Sequence, residues 1–213
     1  MTIEEILGLS PVMPVLVIER AEDAVPLARA LVAGGLRALE VTLRTEAALE
    51  AVRRIRAEVS GAVAGVGTAL DVADLEAAAA AGARFAVSPG LDDAMLQSKT
   101  LPLLPAAATG TEVMRALKAG RASLKFFPAV PSGGVAALKA FQGPFPAVRF
   151  CPTGGIGAAN AAQFLALGNV ACVGGSWVAP PDAIAEKDWG RIHRLAKAAA
   201  ALGPQGAGAI PGS

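Results

Sequence analysis

Short β-rich runs and longer helix-forming runs alternate along this 213-residue chain, and no other feature constrains its fold more. Eight runs are rich in β-branched and other apolar residues: VMPVLVI, ALEVTL, AVAGVGT, FAVSP, PLLPA, SLKFFP, VRFCPT and VACVGG. They recur about every 17 to 26 residues, which leaves room for one strand, one helix and two short loops. No change of composition interrupts the series, so the pattern predicts one domain of repeated βα units.

The segments between these runs carry helix signals. One segment ends in Gly34-Gly35, and another begins at Asp71 and stops at Gly82. Eight βα units predict a small (β/α)8 TIM barrel, a fold of roughly 200 to 250 residues. A doubly wound open sheet is the alternative. It is disfavoured because residues 14–21, which follow the start of the first run, lack the glycines of a dinucleotide-binding loop.

The two ends of the chain differ from this pattern. Residues 203–213 are rich in Gly, Pro and Ala without periodicity, so we expect a barrel domain over residues 1–202 and a flexible tail after it. Near the start, Glu4 and Glu5 stand where a secretory signal carries basic residues. We therefore expect a cytoplasmic protein.

Charge and hydropathy limit the partners of the chain. A net charge of +1 argues against a nucleic-acid surface or a polybasic membrane patch. The mean hydropathy is +0.50 and no charged residue lies between Arg149 and Asp182, which raises the question of a membrane span. Pro152 and two Gly-Gly pairs interrupt that stretch, which favours buried strands and loops. Small molecules or other subunits are the expected partners.

Metal and thiol chemistry have little support in the sequence. The two cysteines, Cys151 and Cys172, lie inside separate strand-like runs and are expected to be buried free thiols. The single histidine, His193, lies in an amphipathic helical stretch and is expected at the surface. We therefore predict no metal site and no cofactor.

Polar residues near the carboxyl ends of the predicted strands are the candidates for function, because the active site of a barrel lies at that rim. Read in chain order, the polar residues and the proline beside them are Glu40, Thr42, Arg44, Thr68, Ser88, Pro89, Lys125, Thr153 and Ser176. The hydroxyl residues among them can equally cap the next helix, and Arg44 can equally be a surface charge.

Lys125 is the most unusual of these residues, since it interrupts the apolar run SLKFFP. A snorkelling lysine is the alternative, but the phenylalanines that follow leave little surface for its amine. An amine removed from water loses part of its preference for the charged form and becomes a nucleophile. With Glu40 as a proton shuttle, it could form a Schiff base with a ketone.

Two glycine pairs follow the last two strands. Gly154-Gly155 and Gly174-Gly175 could expose backbone N–H groups to an anion, and these two loops bind phosphate in many barrels. The alternative is that they are only tight turns. Together with Arg44 and threonine hydroxyls for a carboxylate, they suggest a phosphorylated 2-keto acid as the substrate.

Six motifs in order along residues 11–200 resemble one family: LEVTLRT, GTAL, SPG, LKFFPA, FCPTGGI and GGSW. The chain is similar to the bacterial 2-keto-3-deoxy-6-phosphogluconate (KDPG) aldolases, which often also cleave 4-hydroxy-2-oxoglutarate (KHG). The resemblance implies a class I aldolase with a TIM barrel and a short N-terminal helix. It implies no cofactor, a homotrimer, and pyruvate and D-glyceraldehyde 3-phosphate as products.

The resemblance also implies residue roles. Lys125 forms the Schiff base and Glu40 is the general acid/base. The substrate-binding residues are Arg44 and Thr68 at the carboxylate, Pro89 and Phe127 in packing contact, and Thr153 near the bond that breaks; the phosphate-binding residues are Gly154, Gly155, Gly174, Gly175 and Ser176.

Two features depart from the family pattern. Ala106 stands where the family has a glycine, and the connection LQSKTLPLLP is a few residues shorter. We expect both to affect substrate preference more than the Lys125 and Glu40 chemistry. Two other functions stay open on the sequence alone: a phosphosugar isomerase in which Lys125 only binds charge, and an oligomeric scaffold or engineered variant with reduced activity.

Overall fold

The computed structural model of the chain describes residues 1–203. Within this range parallel strands alternate with helices, as the sequence pattern predicts. Of the predicted tail, residues 204–213 lie outside the described residues.

Each strand lies within one of the predicted runs. In chain order they are β1 (Val12–Leu16), β2 (Ala38–Thr42), β3 (Val63–Gly67), β4 (Ala86–Val87), β5 (Leu103–Leu104), β6 (Ser123–Phe126), β7 (Arg149–Pro152) and β8 (Val173–Gly175).

Two helices have boundaries at or within two residues of the predicted signals. Asp71 caps the helix Val72–Ala80 (α4) by accepting a hydrogen bond from the Asp74 amide at 2.9 Å, and Gly34 follows the helix Ala24–Ala33 (α2). The α-helices are α1 (Ile3–Leu7), α2 (Ala24–Ala33), α3 (Ala48–Glu58), α4 (Val72–Ala80), α5 (Asp93–Gln97), α6 (Gly110–Lys118), α7 (Gly134–Gln142), α8 (Ala161–Leu165), α9 (Pro181–Ala185) and α10 (Trp189–Ala200), with a 3-10 helix at Ala21–Asp23.

The strands curl around a shared interior. Six of them form one parallel sheet in the order β5-β4-β3-β2-β1-β8, and β6 pairs with β7. Isolated parallel bridges join Ala106 to Lys125, Thr153 to Gly174, and Phe150 to Val170. The alternating helices and the curled parallel sheet fit an α/β barrel-like fold.

Buried apolar residues form two clusters on opposite faces of the strands. The larger, here the outer cluster, packs the strands against the helices and includes Leu39 and Val41. The smaller, the lower cluster, consists of Ile3, Ile6, Leu7, Met13, Ala38, Val63, Phe85, Val87, Leu104, Cys151 and Cys172. Because successive side chains of a strand point to opposite faces, the strand members of the lower cluster line the interior. The α1 residues Ile3, Ile6 and Leu7 pack with these strand residues in the lower cluster.

No helix within residues 1–203 is both long enough and apolar enough to cross a membrane.

Candidate active site

Lys125 and Glu40 meet in the interior of the sheet. The Lys125 Nζ lies 3.0 Å from the Glu40 Oε1, and the two residues are only 6% and 2% exposed. A charge this deeply buried is costly unless it is paired and hydrogen-bonded, and each group supplies the other's partner. The distance is also within reach for direct proton transfer between amine and carboxylate.

Strand alternation explains why Lys125 points inward. Its neighbours Leu124 and Phe126 both belong to the outer cluster, so the residue between them must face the interior. The same alternation directs Glu40 inward between Leu39 and Val41. The apolar run that makes the lysine look misplaced in the sequence is therefore what aims it at the site.

An aromatic ring lies beside the amine. The Lys125 Nζ is 5.3 Å from the centroid of the half-buried Phe127 ring, which is within the range of a cation–π interaction. The Phe127 ring and the Glu40 carboxylate both lie next to the amine.

The candidates after β2 and β3 differ in exposure. Arg44 is exposed, and no ion pair within residues 1–203 uses its guanidinium. Thr68 is half-buried and has a φ of +61°, a conformation that is rare for a β-branched residue. Thr42, in contrast, donates its hydroxyl hydrogen bond to the Leu16 carbonyl at 2.9 Å, so its side chain ties β2 to β1.

A tight turn sets the position of Pro89. The Ser88 Oγ donates to the Gly90 carbonyl at 2.8 Å and accepts from the Gly90 amide at 3.2 Å. The Ala106 amide donates to the same carbonyl at 3.3 Å, which joins the turn to the chain beyond β5. Ser88 thus has a local structural role that holds the half-buried Pro89 at the rim.

Thr153 lies in the interior at the end of β7. It is 6% exposed, and its Oγ1 is 3.5 Å from the Cys151 carbonyl. A Cβ added to Gly174 would lie 2.2 Å from this Oγ1. Gly174 therefore gives room to the threonine side chain.

The two glycine pairs are built differently. Gly154 and Gly155 have φ values of +104° and +76°, which glycine adopts without strain, so the turn after β7 requires them. Gly174 and Gly175 are buried within β8, where a Cβ at Gly175 would meet the Trp177 ring. Ser176, the next residue, is exposed. A parallel bridge joins Thr153, which precedes the first glycine pair, to Gly174 of the second.

The cysteines form a buried pair below the site. Both thiols are free, and the two Sγ atoms are 3.5 Å apart, with Cys172 donating to Cys151. The hydrogen bond to Cys151, followed by burial, raises the pKa of the Cys172 thiol well above its usual range, and the nearby Glu40 charge adds to the effect. Their proximity could not be read from the sequence, which places them in different strands.

The sequence predicts a surface position for His193 and no metal site. His193 is half-buried in α10 rather than fully exposed. Within the described part of the chain, no group of three or more His, Cys, Asp or Glu side chains is arranged to hold a metal ion.

Ala106 lies directly beside the lysine. It is 2% exposed and forms a parallel bridge with Lys125, so the two side chains point to the same face. The residue belongs to neither apolar cluster, whereas its neighbour Ala107 belongs to the outer one. The Ala106 methyl group is therefore in the wall of the site.

The chain is similar to known proteins in both sequence and structure. Residues 3–195 match the family model described as KDPG and KHG aldolase. The KHG/KDPG aldolase of Escherichia coli is 51% identical over 199 residues, which cover 92% of this chain and 93% of that protein.

Two solved structures are similarly close. The KDPG aldolase of Legionella pneumophila, with pyruvate captured at low pH as a covalent carbinolamine intermediate, has a TM-score of 0.92 and 44% identity, and the match covers 94% of this chain and 98% of that chain. The 2-keto-3-deoxy-6-phosphogluconate aldolase of Zymomonas mobilis with 3-phosphoglycerate has a TM-score of 0.91 and 47% identity, with coverages of 95% and 97%.

Proposed function

Since the chain belongs to the KDPG and KHG aldolase family, we propose a mechanism in which Lys125 is the nucleophile and Glu40 moves the protons. The chain is a Schiff-base aldolase, a carbon–carbon lyase. It cleaves 2-dehydro-3-deoxy-6-phosphogluconate to pyruvate and D-glyceraldehyde 3-phosphate, and 4-hydroxy-2-oxoglutarate to pyruvate and glyoxylate. The buried contact between Lys125 and Glu40 carries the proposed mechanism.

The first half of the reaction forms the Schiff base. Glu40 accepts a proton from the ammonium, and the neutral amine attacks the keto carbon to give a carbinolamine. Glu40 returns the proton to the carbinolamine hydroxyl, which leaves as water, and a protonated Schiff base remains. The 3.0 Å separation of Nζ and Oε1 allows each transfer without a long movement of either side chain.

The second half breaks the C3–C4 bond. A base removes the proton of the C4 hydroxyl, the aldehyde leaves, and the bonding electrons pass into the Schiff base to give an enamine. Glu40 is suited to this step and to protonation of C3, because its carboxylate lies beside the nitrogen that bears the substrate. Water then releases pyruvate and restores the amine. The positively charged imine is the electron sink in this sequence.

The remaining site residues would orient the substrate. The exposed Arg44 guanidinium and the Thr68 hydroxyl are suited to the carboxylate at C1, because both follow strands that flank the interior. Phe127 and Pro89 would pack against the keto acid, and Thr153 would lie near the breaking bond. The phosphate would rest on the backbone at Gly154 and Gly155, with Gly174, Gly175 and Ser176 beside it.

We also propose that the strands close into a complete (β/α)8 barrel with α1 at its amino-terminal end. The bridges from Ala106 to Lys125 and from Thr153 to Gly174 support closure, since they span the two gaps between the six-stranded sheet and the β6-β7 pair. The barrel would be a single domain over residues 1–202. A homotrimer remains a prediction from the resemblance to the aldolases, and a cytoplasmic location remains a prediction from the sequence.

Borohydride trapping tests the role of Lys125. Incubation with pyruvate and sodium borohydride should add one reduced pyruvate to the peptide that contains Lys125. Lys125→Arg should lose both the adduct and aldolase activity, whereas Lys118→Arg, at an exposed lysine of α6, should retain both. An unmodified Lys125 peptide in an active enzyme would overturn the proposal.

A further inference from the structure

Strand β3 carries two glycines that face the interior. Gly65 and Gly67 are separated by one residue, Val66, which belongs to the outer cluster. Glycine weakens a strand because it has no side chain to pack and loses more freedom on folding, so its presence in a strand marks a close approach by another group. The two glycines therefore require an explanation from what lies over them.

The space over Gly65 is filled by an aromatic ring. A Cβ at this position would lie 2.5 to 2.6 Å from three ring atoms of Phe85. Phe85 is fully buried in the lower cluster. Gly65 is thus explained by core packing.

The space over Gly67 is filled by the Glu40 side chain. A Cβ here would lie 2.2 Å from the Glu40 Oε1 and 2.7 and 2.8 Å from its Cγ and Cδ. In the register of β2 and β3, Glu40 is paired with Gly65, two residues before Gly67. The glutamate therefore leans toward the carboxyl ends of the strands, where its Oε1 reaches Lys125.

We propose that Gly67 is a positioning residue for catalysis, because the absence of a side chain there lets the Glu40 carboxylate rest against the Lys125 amine. The inference rests on the proposed role of Glu40. The backbone of Gly67 has no left-handed φ, so an alanine there would be opposed by the Glu40 side chain and not by the backbone conformation. An added methyl group must displace the carboxylate from its 3.0 Å contact.

The geometric part of the proposal can be tested without catalysis. Gly67→Ala should lower the melting temperature of the otherwise unchanged chain and should lower it much less in a Glu40→Ala background, where the methyl group has room. Gly65→Ala is the matched control: it meets Phe85, so its cost should be the same in both backgrounds. An equal cost of Gly67→Ala in both backgrounds would overturn the proposal.

Solubility gives the same test if Gly67→Ala does not fold. The double variant Gly67→Ala/Glu40→Ala should then be soluble, because the clash is gone. If Glu40→Ala alone is soluble but the double variant is not, the obstacle at position 67 is not Glu40 and the proposal fails.

The catalytic part is tested by a second cycle. Gly67→Ala should lower kcat and the rate of borohydride trapping with pyruvate by about tenfold or more, given that positioned acid–base catalysis is worth about 10² to 10⁴. Gly65→Ala should change both by less than about threefold per folded molecule. Glu40→Asp shortens the side chain by one methylene and so leaves room for the methyl group. The fold loss of kcat in the double variant Gly67→Ala/Glu40→Asp should therefore be smaller than the product of the two single losses.

These outcomes separate the two proposals. If the unchanged chain gives no pyruvate adduct at Lys125, the proposed mechanism fails, while the melting-temperature cycle still reports on the fit of Gly67 and Glu40. If the adduct forms but Gly67→Ala leaves kcat and trapping unchanged, the positioning inference fails and the mechanism stands.

Discussion

The sheet interior has a lower level, formed by the strand residues of the lower cluster, and an upper level, which contains Glu40 and Lys125. The same strands build both levels, but the two levels have different roles. At the lower level, β2 contributes Ala38 and β3 contributes Val63, both in the lower cluster. Two residues further along β2, the upper level has Glu40 in contact with Lys125. Between Ala38 and Glu40, two residues apart on one strand, the interior thus changes from apolar packing to a buried ionic pair.

The glycines of β3 show the same difference within one strand. Gly65 gives room to the Phe85 ring, and Gly67 gives room to the Glu40 carboxylate. Burial of an aromatic side chain adds to stability, whereas burial of a charged pair costs desolvation that its own attraction only partly offsets. The lower level therefore stabilises the fold, and the upper level is retained for chemistry.

The different roles of the two levels can be tested by replacing the ion pair of the upper level with apolar residues like those of the lower level. In the double variant Lys125→Met/Glu40→Met, aldolase activity should be lost entirely. The free energy of unfolding should stay the same or rise by about 1 to 4 kcal/mol, as when other buried ion pairs are replaced by apolar residues. Urea unfolding followed by circular dichroism measures it.

The single variants provide the control for that experiment. Lys125→Met alone leaves Glu40 buried without its partner, and Glu40→Met alone leaves Lys125 in the same condition, so each should be less stable than the double variant. A double variant less stable than either single one would show that the pair supports the fold, and the division between the two levels would be wrong.

The barrel-like alternation of strands and helices and the inward direction of Lys125 could be predicted from local sequence. Each strand lies in an apolar run, and an inward Lys125 follows from its apolar neighbours, because alternation along a strand depends only on adjacent residues. Glu40 is the acidic residue among the strand-end candidates, and the resemblance to the aldolases implies the same partner. Their contact spans 85 positions, and only the folded barrel-like sheet brings the two side chains together.

Features that depend on the fit between strands could not be predicted. The sequence shows a glycine at position 67 but not the carboxylate that fills the space above it. It shows Cys151 and Cys172 but not that their sulfurs lie 3.5 Å apart. The hydroxyl of Thr42 looked as available as the others, yet it is bonded to the Leu16 carbonyl. Each of these depends on the three-dimensional register of neighbouring strands.

Thr68, at the rim of the upper level, has a strained backbone. Its φ of +61° costs about 1 to 2 kcal/mol for a residue with a Cβ. Thr68→Ala and Thr68→Gly should both lower kcat/KM by about ten- to a hundredfold, because each loses the hydroxyl proposed to bind the carboxylate. The glycine variant should be more stable than the alanine variant by about 1 kcal/mol, since glycine accepts this φ.

The comparison of these two variants separates strain from function. Urea unfolding gives the stability difference, and a coupled assay of pyruvate release gives the loss of activity. Equal stabilities would mean that the left-handed conformation is not strained. Full activity in the alanine variant would remove Thr68 from the substrate-binding residues.

The effect of pH on the free energy of unfolding tests whether the lower level excludes water, because Cys172 titrates differently in the folded and the unfolded chain. Its hydrogen bond to Cys151 and its burial raise the pKa of the thiol in the folded state above the unfolded value of about 8.5. Between these two pKa values the unfolded chain has lost a proton that the folded chain keeps. Stability from this group is therefore complete below about pH 8.5 and falls above it, by up to about 1.4 kcal/mol per pH unit.

Urea unfolding at pH 7.5 and pH 9.5 should show a steeper loss of stability in the unchanged chain than in Cys172→Ala, in which all other titrating groups are retained. The same pH slope in both proteins would mean that the thiol ionises as freely as in the unfolded chain, and the lower level could not be the dry layer that the packing of its apolar cluster implies.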